Sequence, residues 1–192
     1  MTTNSPVLNY YNIADGVTAF STTRHGGCSK GNYAALNVNE YCGDSSADVK
    51  SNRALLCSAL GLGAERLIMP HQTHGIEIRH VGEDFFALPG DIKKMLLDGV
   101  DGVMTDLPGT CVSVSTADCI PVLLYDEEHH AVCAVHAGWR GTVRRIVQKA
   151  LTDMRAAFHT TPSKVKAVIG PGISLKNFEV GDEVYDEFAA GG

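Results

Sequence analysis

The sequence is most informative at first in what it lacks. No apolar run approaches the ~18 residues that would cross a bilayer, so no membrane span is expected. Basic residues are in deficit, 16 Lys and Arg against 22 Asp and Glu, for a formal net charge of -6. That balance argues against a nucleic-acid partner, which calls for a basic face, but leaves small anions open to a local cluster. The six cysteines (Cys28, Cys42, Cys57, Cys111, Cys119, Cys133) form no CxxC pair and are too sparse for a disulfide framework, so reduced thiols in the cytoplasm are expected. The opening "MTTNSPVLNYYNIADG" has no basic stretch followed by an apolar core and reads as no secretory leader. There is no repeat, no low-complexity segment and no linker, and 192 residues suit one domain, taken as 1–192. With 44% hydrophobic and 20% charged residues the chain can build an ordinary core.

Local patterns give the elements. "GVTAFSTT" reads as a strand entering a polar glycine loop, "RHGGCSKGNYAALN", and "SADVKSNRALLCSAL" as a helix capped by Ser45 or Ser46. "RLIMPHQTH" and "IEIRHV" read as strands on either side of a turn at Gly75. "GEDFFALPGDIKKMLLDGVDG" has mixed signals. "TCVSVST", "IPVLLYD" and "AVCAVHA" follow as short strands, the last two joined by the hairpin-sized "EEHH". In "GTVRRIVQKALTDMRAAF", Val143, Ile146, Val147, Ala150, Leu151, Met154 and Phe158 recur at helical spacing, predicting one helix of about four turns. "KVKAVIGPG" reads as a buried-type strand, and "GDEVYDEFAA" as the start of a further helix. Interleaved strands and helices with hairpins predict an α/β (α+β) fold with mixed sheets.

The chemistry gathers at strand ends. Cys119 precedes "IPVLLYD", His136 ends "AVCAVHA", and His74 stands next to the turn at Gly75. His71, three residues earlier, has the opposite strand parity and is not expected to share its face. Three protein ligands and an open position are the pattern of catalytic zinc. The competing reading makes Cys119 a small buried hydrophobe and His136 a hydrogen-bonded core residue. After His136 the chain turns through glycines into a helix, a geometry that aims N–H groups at an anion. Gly138 and Gly141 allow close approach, Arg140 offers a bidentate fork, and Arg24 in the "STTRHGGCS" loop is a second candidate for the same anion.

"STTRHGGCSKGNYAALNV", "HQTHG", "STADCIPVLLYD", "AVHAGWRGTVRRI" and "IGPGIS…FEVGDEV", in this order along nearly the whole chain, resemble the YfiH-type laccase-domain family. Its members were once called polyphenol oxidases and are now regarded as purine nucleoside phosphorylases with adenosine deaminase activity. The resemblance implies a layered α-β-β-α sandwich, CNF-toxin/YfiH-like and related to a group of cysteine hydrolases. It also implies a zinc site on His74, Cys119 and His136, with purine nucleosides (adenosine, inosine, methylthioadenosine) and phosphate as partners. Two departures stand out. "GPGISLKNFEVG" puts Gly172, Lys176 and Asn177 where the family often has cysteines, and the family's usual C-terminal segment is expected to be lacking after "DEFAAGG".

Such chemistry needs a carboxylate to move protons. Asp118, beside a ligand, and Glu77 are the candidates, since the H-x-E signature of nucleobase deaminases is absent. A copper oxidase is less favoured: eight histidines include no H-x-H pair, and no methionine lies in these motifs as a weak axial ligand. A cysteine hydrolase with Cys119 as nucleophile and His136 as base is the other rival.

Overall fold

The computed structural model describes residues 5–191; residues 1–4 of the opening stretch and residue 192 lie outside the described residues. In chain order the elements are β1 (Leu8–Tyr11), β2 (Ala19–Thr22), α1 (Ser46–Leu60), β3 (Leu67–Ile68), β4 (Ile78–His80), α2 (Glu83–Ala87), α3 (Gly90–Leu96) and β5 (Gly102–Thr105). They continue with β6 (Cys111–Val112), β7 (Ile120–Asp126), β8 (Ala131–Ala137), α4 (Trp139–Val143), α5 (Ile146–Phe158), β9 (Lys166–Ile169) and α6 (Asp182–Gly191). The chain divides into two compact units, one running to Ile68 and including Gly109–Cys111, the other comprising Met69–Pro108 and everything from Val112 onward.

In the first unit β1 and β2 form an antiparallel ribbon. Helix α1 begins where the Ser45 hydroxyl accepts the Asp48 N–H and ends at Gly61, as its sequence predicts. Leu56 and Cys57 of α1 pack with Leu67, and Cys111 joins the same cluster. Asn52, fully buried on α1, ties the glycine loop together: its amide donates to the Ser29 hydroxyl and the Asn37 carbonyl and accepts the Cys28 N–H.

The second unit is built on a five-stranded sheet of order β4-β5-β8-β7-β9. Its β4–β5 pair is parallel and the remaining pairs are antiparallel, so the sheet is mixed, as the α/β pattern predicts. Ile146, Ala150, Met154 and Phe158 recur every four residues on α5 and are all buried against Val122, Leu124, Cys133 and Val135 of β7 and β8. Full burial of a side chain of the size of Ile146 or Met154 is worth about 1.5–3 kcal/mol, so this stripe anchors the helix to the sheet.

The structure departs from the sequence reading in several places, and of "TCVSVST" Cys111–Val112 alone form a strand. The helix expected over 141–158 is two helices, broken at Arg144 and Arg145, with Arg145 in the left-handed region at φ 60°. The break separates Gly141, which packs close to the Gly75 carbonyl, from the stripe of 146, 150, 154 and 158 that faces the sheet. The "KVKAVIGPG" strand is largely exposed rather than buried, with Ile169 at 73%, because β9 is the sheet's edge and has β7 alone as a neighbour. Residues 71–76 are irregular, not strand, with His71 making an isolated bridge to Asp98. Finally, the mixed middle region holds α2 and α3 and leads at Gly102 into the short buried strand β5, which sits inside the sheet between β4 and β8.

Candidate metal centre

His74, Cys119 and His136 come together at one end of the second unit's sheet. Their ligand atoms all lie within 4.8 Å of one another, and the two imidazoles meet edge to face with centroids 4.9 Å apart. Among the described residues this is the one group of three or more His, Cys, Asp or Glu side chains arranged to hold a metal. Its exposure is graded: His136 is buried, Cys119 is half-buried and His74 faces solvent.

The ladder explains the Cys119–His136 edge of this triangle. β7 and β8 pair with Ile120 opposite Ala137 and Pro121 opposite His136, so the residue just before β7 lies beside the end of β8. His74 arrives differently. It occupies the left-handed region at φ 61°, a conformation that costs a non-glycine residue about 1–3 kcal/mol and persists only where the surroundings enforce it.

The enforcing group is Asp101, fully buried just before β5 and absent from the sequence-based candidates. Its carboxylate accepts the backbone N–H groups of Thr73 (3.2 Å), His74 (3.0 Å) and Gly75 (2.7 Å), and its Oδ1 lies 2.8 Å from His136 Nδ1. Burial alone would push this carboxyl up. The His136 hydrogen bond and the Gly75 and Thr73 N–H groups outweigh it and hold Asp101 below the ordinary carboxylate range. An ionised carboxylate can only accept, so the Nδ1 carries the proton and the Nε2 lone pair of His136 is free to bind a metal.

Cys119 carries the opposite shift. Burial, then the charges of Asp118 and Asp101, push its thiol above the ordinary value. The same negative field favours a cation at this point, and a bound cation is what would hold Cys119 as thiolate. The donor set, two imidazoles and one thiol with a carboxylate behind one imidazole, therefore fits zinc chemistry.

At two glycines the backbone comes close to its neighbours. A Cβ on Gly138 would sit 3.1 Å from Cys119 Sγ and 3.2 Å from His74 Cδ2, and one on Gly141 would sit 3.1 Å from the Gly75 carbonyl. Arg140 is exposed, with its guanidinium 4.2 Å above the Trp139 ring. The helix start after His136 belongs to the five-residue α4, so no long helix dipole stands behind it. Asp118 is exposed, and its backbone carbonyl accepts the Ile173 N–H. Glu77 is exposed as well, with its carbonyl bonded to the N–H groups of Asp101 and Gly102. Arg24 belongs to the first unit, where its Nε donates to the Ala34 carbonyl at 2.8 Å. Among the described residues, no helix is long and apolar enough to cross a membrane.

A mixed-sheet α/β unit bearing two histidines and a cysteine at one sheet end defines a candidate mononuclear metalloprotein. Residues 18–192 match the model of the family described as multi-copper polyphenol oxidoreductase laccase, and the chain belongs to that family. A purine nucleoside phosphorylase of Bacteroides thetaiotaomicron is 42% identical over 194 aligned positions, covering 100% of this chain and 72% of its own length. Adenosine deaminase RL5, from an unknown prokaryotic organism, is 39% identical and is covered over 69% of its length by 94% of this chain. The crystal structure of YlmD from Geobacillus stearothermophilus superposes with a TM-score of 0.83 at 34% identity, over 92% of this chain. That of a Bacillus licheniformis protein, YfiH, superposes with a TM-score of 0.84 at 29% identity, over 93%. The chain spans 65% and 70% of the lengths of these two solved chains.

Proposed function

We propose that the chain is a zinc-dependent enzyme of purine nucleosides, catalysing phosphorolysis of substrates such as adenosine, inosine and methylthioadenosine, and deamination of adenosine. The observation that carries this reading is the His74–Cys119–His136 cluster backed by Asp101, in a chain whose relatives include a purine nucleoside phosphorylase and an adenosine deaminase. Bound zinc would supply a Lewis-acid centre that polarises an oxygen of water or substrate.

The chain's own residues do the rest. His136, its Nδ1 held by Asp101, presents Nε2 in one fixed direction. Arg140 binds the phosphate that attacks the anomeric carbon of the ribose as the bond to the purine breaks. In the deamination Asp118, whose charge already reaches Cys119, takes a proton from the water that adds to the purine carbon and returns it to the amino group that leaves as ammonia, with Glu77 the other candidate. Gly138 and Gly141, having no side chain, let the backbone of the turn approach the phosphate closely.

A cysteine hydrolase would need an activated thiolate, whereas the Cys119 thiol is pushed up. A multicopper oxidase would need several copper centres, whereas the described residues offer one three-residue cluster.

The test is metal analysis of protein purified without chelator, paired with nucleoside turnover. About one zinc per chain is expected, lost in Cys119→Ser, His74→Ala and His136→Ala together with both activities. Full metal content in all three variants would remove the site, and a zinc-loaded chain that turns over no purine nucleoside would remove the activity.

A further inference from the structure

The three ligands form a triangle, and each of two edges has an identified brace. The β7–β8 ladder sets Cys119 against His136, and the Asp101 carboxylate, gripping the His136 ring and the backbone of residues 73–75, sets His136 against His74. Neither brace joins His74 to Cys119 directly. The segments carrying them, 71–76 and 113–119, lie outside the five-stranded sheet.

Gln72 closes that gap. Its Nε2 donates to the Ser115 carbonyl at 2.8 Å, and its Oε1 accepts the Ser115 N–H at 2.7 Å. A side-chain amide thus pairs with both polar groups of one backbone residue, imitating one rung of a β-ladder. Gln72 is two residues from His74 and Ser115 is four residues from Cys119. The far end of the Cys119 segment is pinned as well, by the Ile173 N–H on the Asp118 carbonyl. Two parallel hydrogen bonds fix distance and orientation together, which one bond cannot do.

We infer that Gln72 is a positioning residue: its two-bond clamp on Ser115 presets the His74-to-Cys119 separation before any metal binds. This rests on the metal reading above and goes beyond it, because it assigns the affinity of the site to a residue that touches none of the ligands. A preformed site binds without first ordering its ligands, and loss of a group that orients ligands from behind typically costs ten- to a hundredfold in metal affinity.

The test compares Gln72→Ala, Gln72→Glu and Leu151→Ala with the parent chain. Leu151 packs on the α5 core, so its truncation lowers stability without touching the clamp. Zinc affinity is read by competition with a chromophoric chelator, and amide hydrogen exchange at His74 and Ser115 is read in metal-free protein. Gln72→Ala is expected to lose about ten- to a hundredfold in zinc affinity, with faster exchange at both amides. Gln72→Glu keeps the acceptor and loses the donor, so it should fall between. Leu151→Ala should keep parental affinity. The inference is overturned if Gln72→Ala binds zinc as the parent does, or loses no more than Leu151→Ala. If the parent binds no zinc through the three ligands, the metal reading fails by itself. The exchange data then decide the clamp, and unchanged protection at His74 and Ser115 overturns it.

Discussion

Asp101 holds His136 and His74 with the same oxygen: Oδ1 lies 2.8 Å from the His136 ring nitrogen and accepts the His74 backbone N–H at 3.0 Å. One buried atom therefore fixes the tautomer of one ligand and the strained backbone of another. Asp101→Asn keeps the shape but must turn an amide NH2 toward donors that need an acceptor. Hydrogen bonds to charged groups are worth about 1.5–3 kcal/mol, so urea unfolding should show a loss of at least that size. Zinc affinity should fall about ten- to a hundredfold in the folded protein. A variant with parental affinity would show that the carboxylate serves the fold alone.

Gly138 offers a cleaner probe of the ligand cluster. Its φ of -73° suits any residue, so Gly138→Ala should cost little in backbone conformation. The added methyl meets Cys119 Sγ at 3.1 Å and His74 Cδ2 at 3.2 Å. Metal content should drop while the thermal midpoint of the metal-free protein stays near that of the parent. A variant that keeps its metal and loses stability would reverse the assignment.

How much of this was readable beforehand depends on the range of the interaction. Helix α1 with its Ser45 cap and Gly61 stop, the β7–β8 hairpin and the buried stripe of α5 all follow from residues within a few positions of each other. The ligand triple was legible mainly through the family motifs "HQTHG", "ADCIP" and "HAGWRG", since a chain with eight histidines and six cysteines offers many triples by spacing alone. Asp101 and Gln72 were not. Asp101 sits in "DGVDG", which reads as turn, and acquires its meaning from partners 26 to 35 positions away. Gln72 works through Ser115, 43 positions on, by an amide that carries no signature. Strand β5 has four residues, too few to show a period, and its burial follows from its two neighbours in the sheet. The break at Arg144 and Arg145 leaves the apolar spacing intact on both sides, so periodicity runs straight through it.

Acid stability should report on the β7–β8 hairpin. Asp126 is buried at its turn, and burial alone would raise its carboxyl. The Thr160 hydroxyl beside it, the His129 ring, and the Glu128 and His129 N–H groups hold it below the ordinary value instead. A carboxyl lowered by folding stabilises fully above its unfolded pKa of about 3.9 and loses that contribution as pH falls through the lower folded value. Urea midpoints should therefore be insensitive to this group between pH 7 and about pH 5 and decline below about pH 4. Asp126→Asn should be less stable at pH 7 and show a shallower decline. Parallel curves for the two proteins would refute the assignment.

Arg140 is the residue at which the two proposed activities should separate. The guanidinium stacks 4.2 Å above Trp139, beside the turn that follows His136, and its donor fork remains the proposed clamp for phosphate. Charge-assisted contacts to an anion are worth roughly 1.5–3 kcal/mol, so Arg140→Ala should raise the phosphate concentration needed for half-maximal phosphorolysis about ten- to a hundredfold. Arg140→Lys keeps the charge but gives up the planar fork and the stack, and should lie between. Deamination of adenosine consumes water and no phosphate, so it should suffer less in both variants. Initial rates of the two reactions, measured at several phosphate concentrations, make the comparison. Equal loss in both would mean that Arg140 holds the nucleoside or the Trp139 ring, and that phosphate binds elsewhere.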